Sequence, residues 1–107
     1  MIRPWDQDER PTWRASAEWG SVRENYDVDD LRLLAKTLGE TGMTRQVVLH
    51  SGVGELRVSM LVKVVDVDAA EHAAVRIVEV AHTVAGLGHL GMVLSSRATR
   101  QPSSTAP

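Results

Sequence analysis

Side chains able to do chemistry are sparse in this chain, and their spacing limits what they can do. There are four histidines, His50, His72, His82 and His89, and no cysteine. No two histidines stand at i, i+4, the spacing that presents two imidazoles to a metal from one helix face. His72 and His82 would lie about 80° apart around a helix at ~100° per residue. His82 and His89 could approach around Gly86–Gly88, but no adjacent carboxylate completes a ligand set. All four are expected as surface or capping histidines, with His82 favourably near a helix C-terminus. No metal and no other cofactor is expected.

The carboxylates gather as Asp27, Asp29 and Asp30 and as Asp66 and Asp68. Both groups precede apolar runs of helical spacing, where capping accounts for them. Two segments repeat glycine, Ser51-Gly52-Val53-Gly54-Glu55 and Gly86-Leu87-Gly88-His89-Leu90-Gly91. Neither holds the Gly-Lys-Ser/Thr of a phosphate loop, and the second follows a helix rather than leading into one, so both read as turns. Gly20-Ser21-Val22-Arg23-Glu24-Asn25 has the composition, without the motif, of the anion-cradling loop of acylphosphatase-type enzymes. An enzyme is not the expectation.

Arg14, Arg57, Lys63 and Arg97 are the candidate basic patch, and Trp5, in a proline-bounded arm, is an apolar ring that must find a pocket on its own domain or on a partner. The overall balance is 12 basic against 14 acidic residues, a net charge of −2. That balance argues against a general affinity for nucleic acid or anionic membranes, both of which need a basic excess. Stacking of bases on the central strands would also need aromatics that the third strand lacks. A solvated sheet face is therefore expected, and nucleic acid is not expected as a partner.

The elements that must hold these residues follow from periodicity. Trp13, Ala15, Ala17 and Trp19 alternate with Arg14, Ser16 and Glu18, a first strand closed by Gly20. Asp27 caps a helix with Leu31, Leu34, Ala35 and Leu38 on one stripe, stopped at Gly39 or Gly42. Thr44–His50 reads as a second strand, Ser51–Glu55 as a hairpin turn, and Leu56–Val67 as a third strand with Leu56, Val58, Met60, Val62 and Val64 alternating. Asp68 and Glu71 predict a capping box opening a second helix, with Ala70, Ala74, Ile77, Ala81 and Val84 on its apolar face. Gly91–Thr99 is the fourth strand.

Strand, helix, strand, strand, helix, strand is the order of the ferredoxin-like βαββαβ fold, α+β, with both helices on one face of a four-stranded antiparallel sheet. The expected spatial order is 4-1-3-2, which makes the apolar third strand central. Polarity sends Val58, Met60, Val62 and Val64 inward with Trp13, Ala15, Ala17 and Trp19. Arg57, Ser59, Leu61, Lys63 and Val65 then face outward with Arg14, Ser16 and Glu18. The opposite assignment, both Trp on the open face, stays open at this level. The 107 residues suit a single domain. Residues 1–11 form an irregular arm, 12–99 the domain and 100–107 a disordered tail.

No apolar run approaches the ~20 residues that cross a bilayer. No signal-like apolar segment opens the chain, so no membrane association and a cytoplasmic location are expected. The reading that follows is a small non-catalytic binding or assembly module, self-associating as a homodimer or docking a protein partner. The contact would be the open face, with Leu61 and Val65, or an edge strand. Its candidate contact residues are Trp5, Arg14, Arg57, Leu61, Lys63 and Arg97. The alternative is a small ferredoxin-like enzyme or ligand sensor built on a cavity between sheet and helices or at a dimer interface.

Overall fold

The computed structural model of the chain describes residues 5–20 and 26–102. A single 3-10 turn at Trp5–Gln7 precedes β1 (Thr12–Gly20), α1 (Val28–Glu40), β2 (Arg45–Gly52), β3 (Glu55–Lys63), α2 (Val67–Val84) and β4 (Met92–Arg100). The strands form one antiparallel sheet in the order β2-β3-β1-β4, the order expected for the ferredoxin-like arrangement. Helix α1 packs over β2, and α2 over β1 and β4.

Alternation decides which face the helices cover. Ala15, Ala17 and Trp19 of β1 and Val58, Met60 and Val62 of β3 are fully buried beneath Leu34, Leu38, Ala74 and Val78. Both tryptophans therefore go to the helix side: Trp19 lies in the core, and Trp13, half-buried, donates its indole N–H to the Val64 carbonyl at 3.1 Å. Ala15 and Ala17 on the sheet and Ala70, Ala74 and Ala81 on α2 are small enough to let that helix settle close to the sheet. The Trp19 indole nitrogen has no acceptor among the described residues.

Strand β3 stops at Lys63 rather than running to Val67. Its partner sets the limit: Thr12, the first residue of β1, pairs with Lys63, and beyond it only the Val64 N–H finds the Pro11 carbonyl, at 3.2 Å. Val65 thus leaves the open face and stands two-thirds exposed in the turn. The cap of α2 moves with it. Asp66, not Asp68, accepts the Ala69 N–H at 2.8 Å, and Asp68 joins the first turn. At α1 the expected cap holds, with Asp27 accepting from Asp30 N–H at 2.8 Å and Asp30 returning the bond as a capping box. The hairpin is tighter than expected: Ser51 and Gly52 extend β2, and Val53-Gly54 make the turn, with Gly54 at φ +70°. Arg100 is the last residue of β4 rather than the first of the tail. Residues 103–107 of the expected tail, and 21–25 of the glycine-led loop after β1, lie outside the described residues.

The buried stripe of α2 is rotated from the expected one. Val84 is exposed, while His82, expected at the surface, is 1% exposed. One nitrogen explains the other's role. The Gly88 carbonyl, 2.7 Å from Nδ1, can only accept, so in the neutral imidazole Nδ1 carries the hydrogen. Nε2 is then the acceptor for the Tyr26 hydroxyl at 2.8 Å. The two rings meet edge to face, with centroids 5.7 Å apart. The pair ties the segment before α1 to the turn after α2. Tyr26→Phe leaves Nε2 buried without this donor and is expected to cost about 1–3 kcal/mol. Urea unfolding should show a lower midpoint at an unchanged slope.

Candidate functional site

The face away from the helices is laid out by the same register. Across its middle run Val48, Ser59, Ser16 and Arg97; one row toward the arm run Arg45, Leu61, Arg14 and Thr99; one row toward the hairpin run His50, Arg57, Glu18 and Ser95. The floor is Ser16 and Ser59 with the aliphatic Val48 and Leu61, and the charges stand around it.

Four of the six candidate contact residues meet at one end. Trp5, Arg14, Leu61 and Lys63 line a cleft of about 870 Å³, together with Gln46 and Arg100. Arg57 is at the other end, paired to Glu18 Oε1 at 2.6 Å beside His50 and Leu94, in a depression of about 240 Å³. Arg97 stands on β4 opposite Ser16, apart from both.

Lys63 has a positioning task. Its ammonium donates to the Trp5 carbonyl at 2.6 Å and to the Asp8 carbonyl at 3.1 Å, and so anchors the arm to the end of the sheet. The Trp5 ring lies 5.0 Å from the Lys63 nitrogen and 5.4 Å from the Arg45 guanidinium, within cation–π range. Trp5 therefore finds its footing on its own domain, leaving the ring half-buried at the cleft. Arg14 donates to Gln46 Oε1 at 2.7 Å, which steadies its guanidinium and leaves other donors to spare. Within the arm, Arg10 holds the Asp8 carboxylate through three side-chain hydrogen bonds.

Arg45 belongs to this site and escapes sequence reasoning. Strict alternation along β2 would send it inward with Val47 and Leu49. The ladder instead slips between Arg45 and Val48, with Gln46 at φ +51°, so two residues bulge against one and Arg45 emerges opposite Leu61 on the open face. No residue type in Thr-Arg-Gln-Val announces that bulge. A second slip on β4 leaves Leu94 as the extra residue against β1, half-exposed over Gly20.

On the helix side of the arm a separate groove of about 980 Å³ is lined by Trp5, Met43, Val62, Val64, Ile77 and Arg76. Among the described residues no three of His, Asp and Glu are close enough to hold a metal, and no helix is long and apolar enough to cross a membrane. His72 turns Nδ1 to the Asp68 carbonyl of its own helix, and His89 is exposed. No known family, curated protein or solved structure matches the chain.

The Arg10 side-chain hydrogen bonds, aided by the Arg10 backbone N–H, hold the Asp8 carboxyl far below the ordinary carboxylate range. A depressed carboxylate stabilises the folded arm above its unfolded pKa of about 4 and loses that contribution as pH falls toward the folded value. In a carboxyl-detected NMR titration Asp8 should remain ionised below the ordinary carboxylate range, and Arg10→Ala should return it to that range.

Proposed function

We propose that the protein is a non-catalytic assembly module that pairs with a second copy of itself through the free edge of β4. The observation that carries this reading is the edge itself. β4 is hydrogen-bonded to β1 on one side and, among the described residues, has no strand on the other, and it opens with Met92, Val93 and Leu94, which are 68%, 38% and 54% exposed. A row of unpaired N–H and C=O groups beside an apolar run is a template for another strand. A groove of about 500 Å³ runs beside it, lined by Glu71, His72, Val75, Glu79 and Ser96, with room for side chains of a neighbouring copy.

Electrostatics separates this edge from the open face as a contact surface. Two copies stacked through that face would bring together Arg14, Arg45 and Arg97 of both chains, and Glu18 is already committed to Arg57. Desolvating that surplus of guanidinium charge opposes face-to-face stacking. Edge pairing avoids it, because the helices and the open faces of the two copies stay on their own sides of one continuous sheet.

The groove between arm and helices favours a second reading, a sensor for an apolar ligand, since its volume lies at the upper end of small-molecule sites. That reading expects an apolar fluorescent anion such as anilinonaphthalene sulfonate to bind, and Ile77→Arg to abolish the binding.

For the assembly reading, size-exclusion chromatography with light scattering should return twice the chain mass. Met92→Lys with Leu94→Lys places charge on the edge and should return a monomer with an unchanged circular dichroism spectrum. A monomeric parent protein at high concentration overturns the reading.

A further inference from the structure

Charge in this molecule is segregated by layer, which the net value of −2 conceals. The helix layer opens α1 with Asp29 and Asp30 after the Asp27 cap, and α2 with Asp68 and Glu71 after the Asp66 cap, against Arg32, Lys36 and Arg76. The open face carries Arg14, Arg45, Arg57, Lys63 and Arg97, with Glu18 and Glu55 both confined to the hairpin end. Glu18 is spent on Arg57, and Lys63 on the arm. The arm end is left with Arg14 and Arg45, and the middle row with Arg97 on β4, around a floor of Ser16, Ser59, Val48 and Leu61, and Glu9 is a carboxylate at the arm-end rim.

The geometry points to this face as a binding surface for single-stranded nucleic acid, with the phosphates on Arg14, Arg45 and Arg97. At a strand spacing of ~4.8 Å and a rise of ~3.4 Å per residue, the backbones of Arg14 and Arg97 stand about 8 Å apart and those of Arg14 and Arg45 about 10 Å. The three thus form a shallow diagonal across all four strands rather than a single point of charge. Each guanidinium is a planar fork that takes phosphate through two parallel hydrogen bonds, and serine hydroxyls between them can donate to phosphate oxygens as well. Trp5, at the end of the diagonal, supplies an aromatic ring at the cleft for a base. The central strands turn their aromatic rings, Trp13 and Trp19, to the helix side, and the fold of the arm brings one to this face.

Two features separate this partner from others. Among the described residues no helix or long loop rises from the open face to enter a duplex groove, so an unpaired strand is the form that fits. An acidic protein would need a desolvated apolar anchor, and the floor offers two aliphatic side chains, half-exposed Val48 and half-buried Leu61, between serines and arginines. The inference stands on the face of one copy and does not need the β4 pairing.

Fluorescence anisotropy of a fluorescein-labelled oligothymidylate with the full chain tests it. Three phosphate contacts on a single strand predict that log Kobs falls against log salt with a slope of about −2, and the Arg45→Ser/Arg97→Ser variant should show about −0.7. Both arginines are exposed, and an unchanged circular dichroism spectrum checks the fold of the variant. Arg76→Ser, which removes an exposed cation from the helix layer, should leave the slope as it is. Absence of saturable binding at about 50 mM salt overturns the proposal. So does a slope that the double variant does not change, or displacement of the oligonucleotide by polyglutamate as effective as by unlabelled oligothymidylate.

Discussion

The antiparallel pairing of β1 with β3, unbroken from Thr12 against Lys63 to Gly20 against Glu55, is the constraint on which the rest of the molecule depends. Because side chains alternate along each strand, one register commits every residue of both central strands to a face. Ala15, Ala17 and Trp19 go beneath the helices with Val58, Met60 and Val62, and Arg14, Ser16 and Glu18 go outward with Arg57, Ser59 and Leu61. A slip by one residue would bury arginine and expose the core. The same pairing sets where β3 ends, hence where Asp66 caps α2, hence which stripe of α2 meets the sheet.

That stripe closes the fold with a polar contact rather than an apolar one. Val84 is displaced outward and His82 takes the buried position, held between the Tyr26 hydroxyl and the Gly88 carbonyl. With both ring nitrogens bonded, a buried imidazole avoids the penalty of an unsatisfied group. The pair joins two connecting segments across the core.

The outer face is shaped by two irregularities. The bulge at Gln46 turns Arg45 from the core side to the open side, and the slip near Leu94 leaves that side chain over Gly20 at the start of the free edge. Bulges concentrate at sheet edges and re-aim side chains. Here one adds a cation to a face that already holds Arg14 and Arg97, and the other adds apolar surface to β4. Charge and apolar surface are thereby parted between the sheet's face and its edge.

What was legible in the sequence is what depends on local pattern. Period two in Leu56–Val64, helical spacing in Leu31–Leu38 and Ala70–Ala81, and the Asp27 cap sufficed for the element order and the ferredoxin-like topology, because alternation and capping are properties of neighbouring residues. Opposite polarity on the two sides of β1 likewise pointed both tryptophans inward. Tertiary structure decided the rest. Where β3 stops depends on where its neighbour begins. The side on which Arg45 emerges depends on a mismatch between two strand lengths. The burial of His82 depends on Tyr26, far away along the chain. Convergence of Trp5, Arg14, Leu61 and Lys63 on one cleft depends on an arm held to the sheet by backbone carbonyls, which carry no sequence signature.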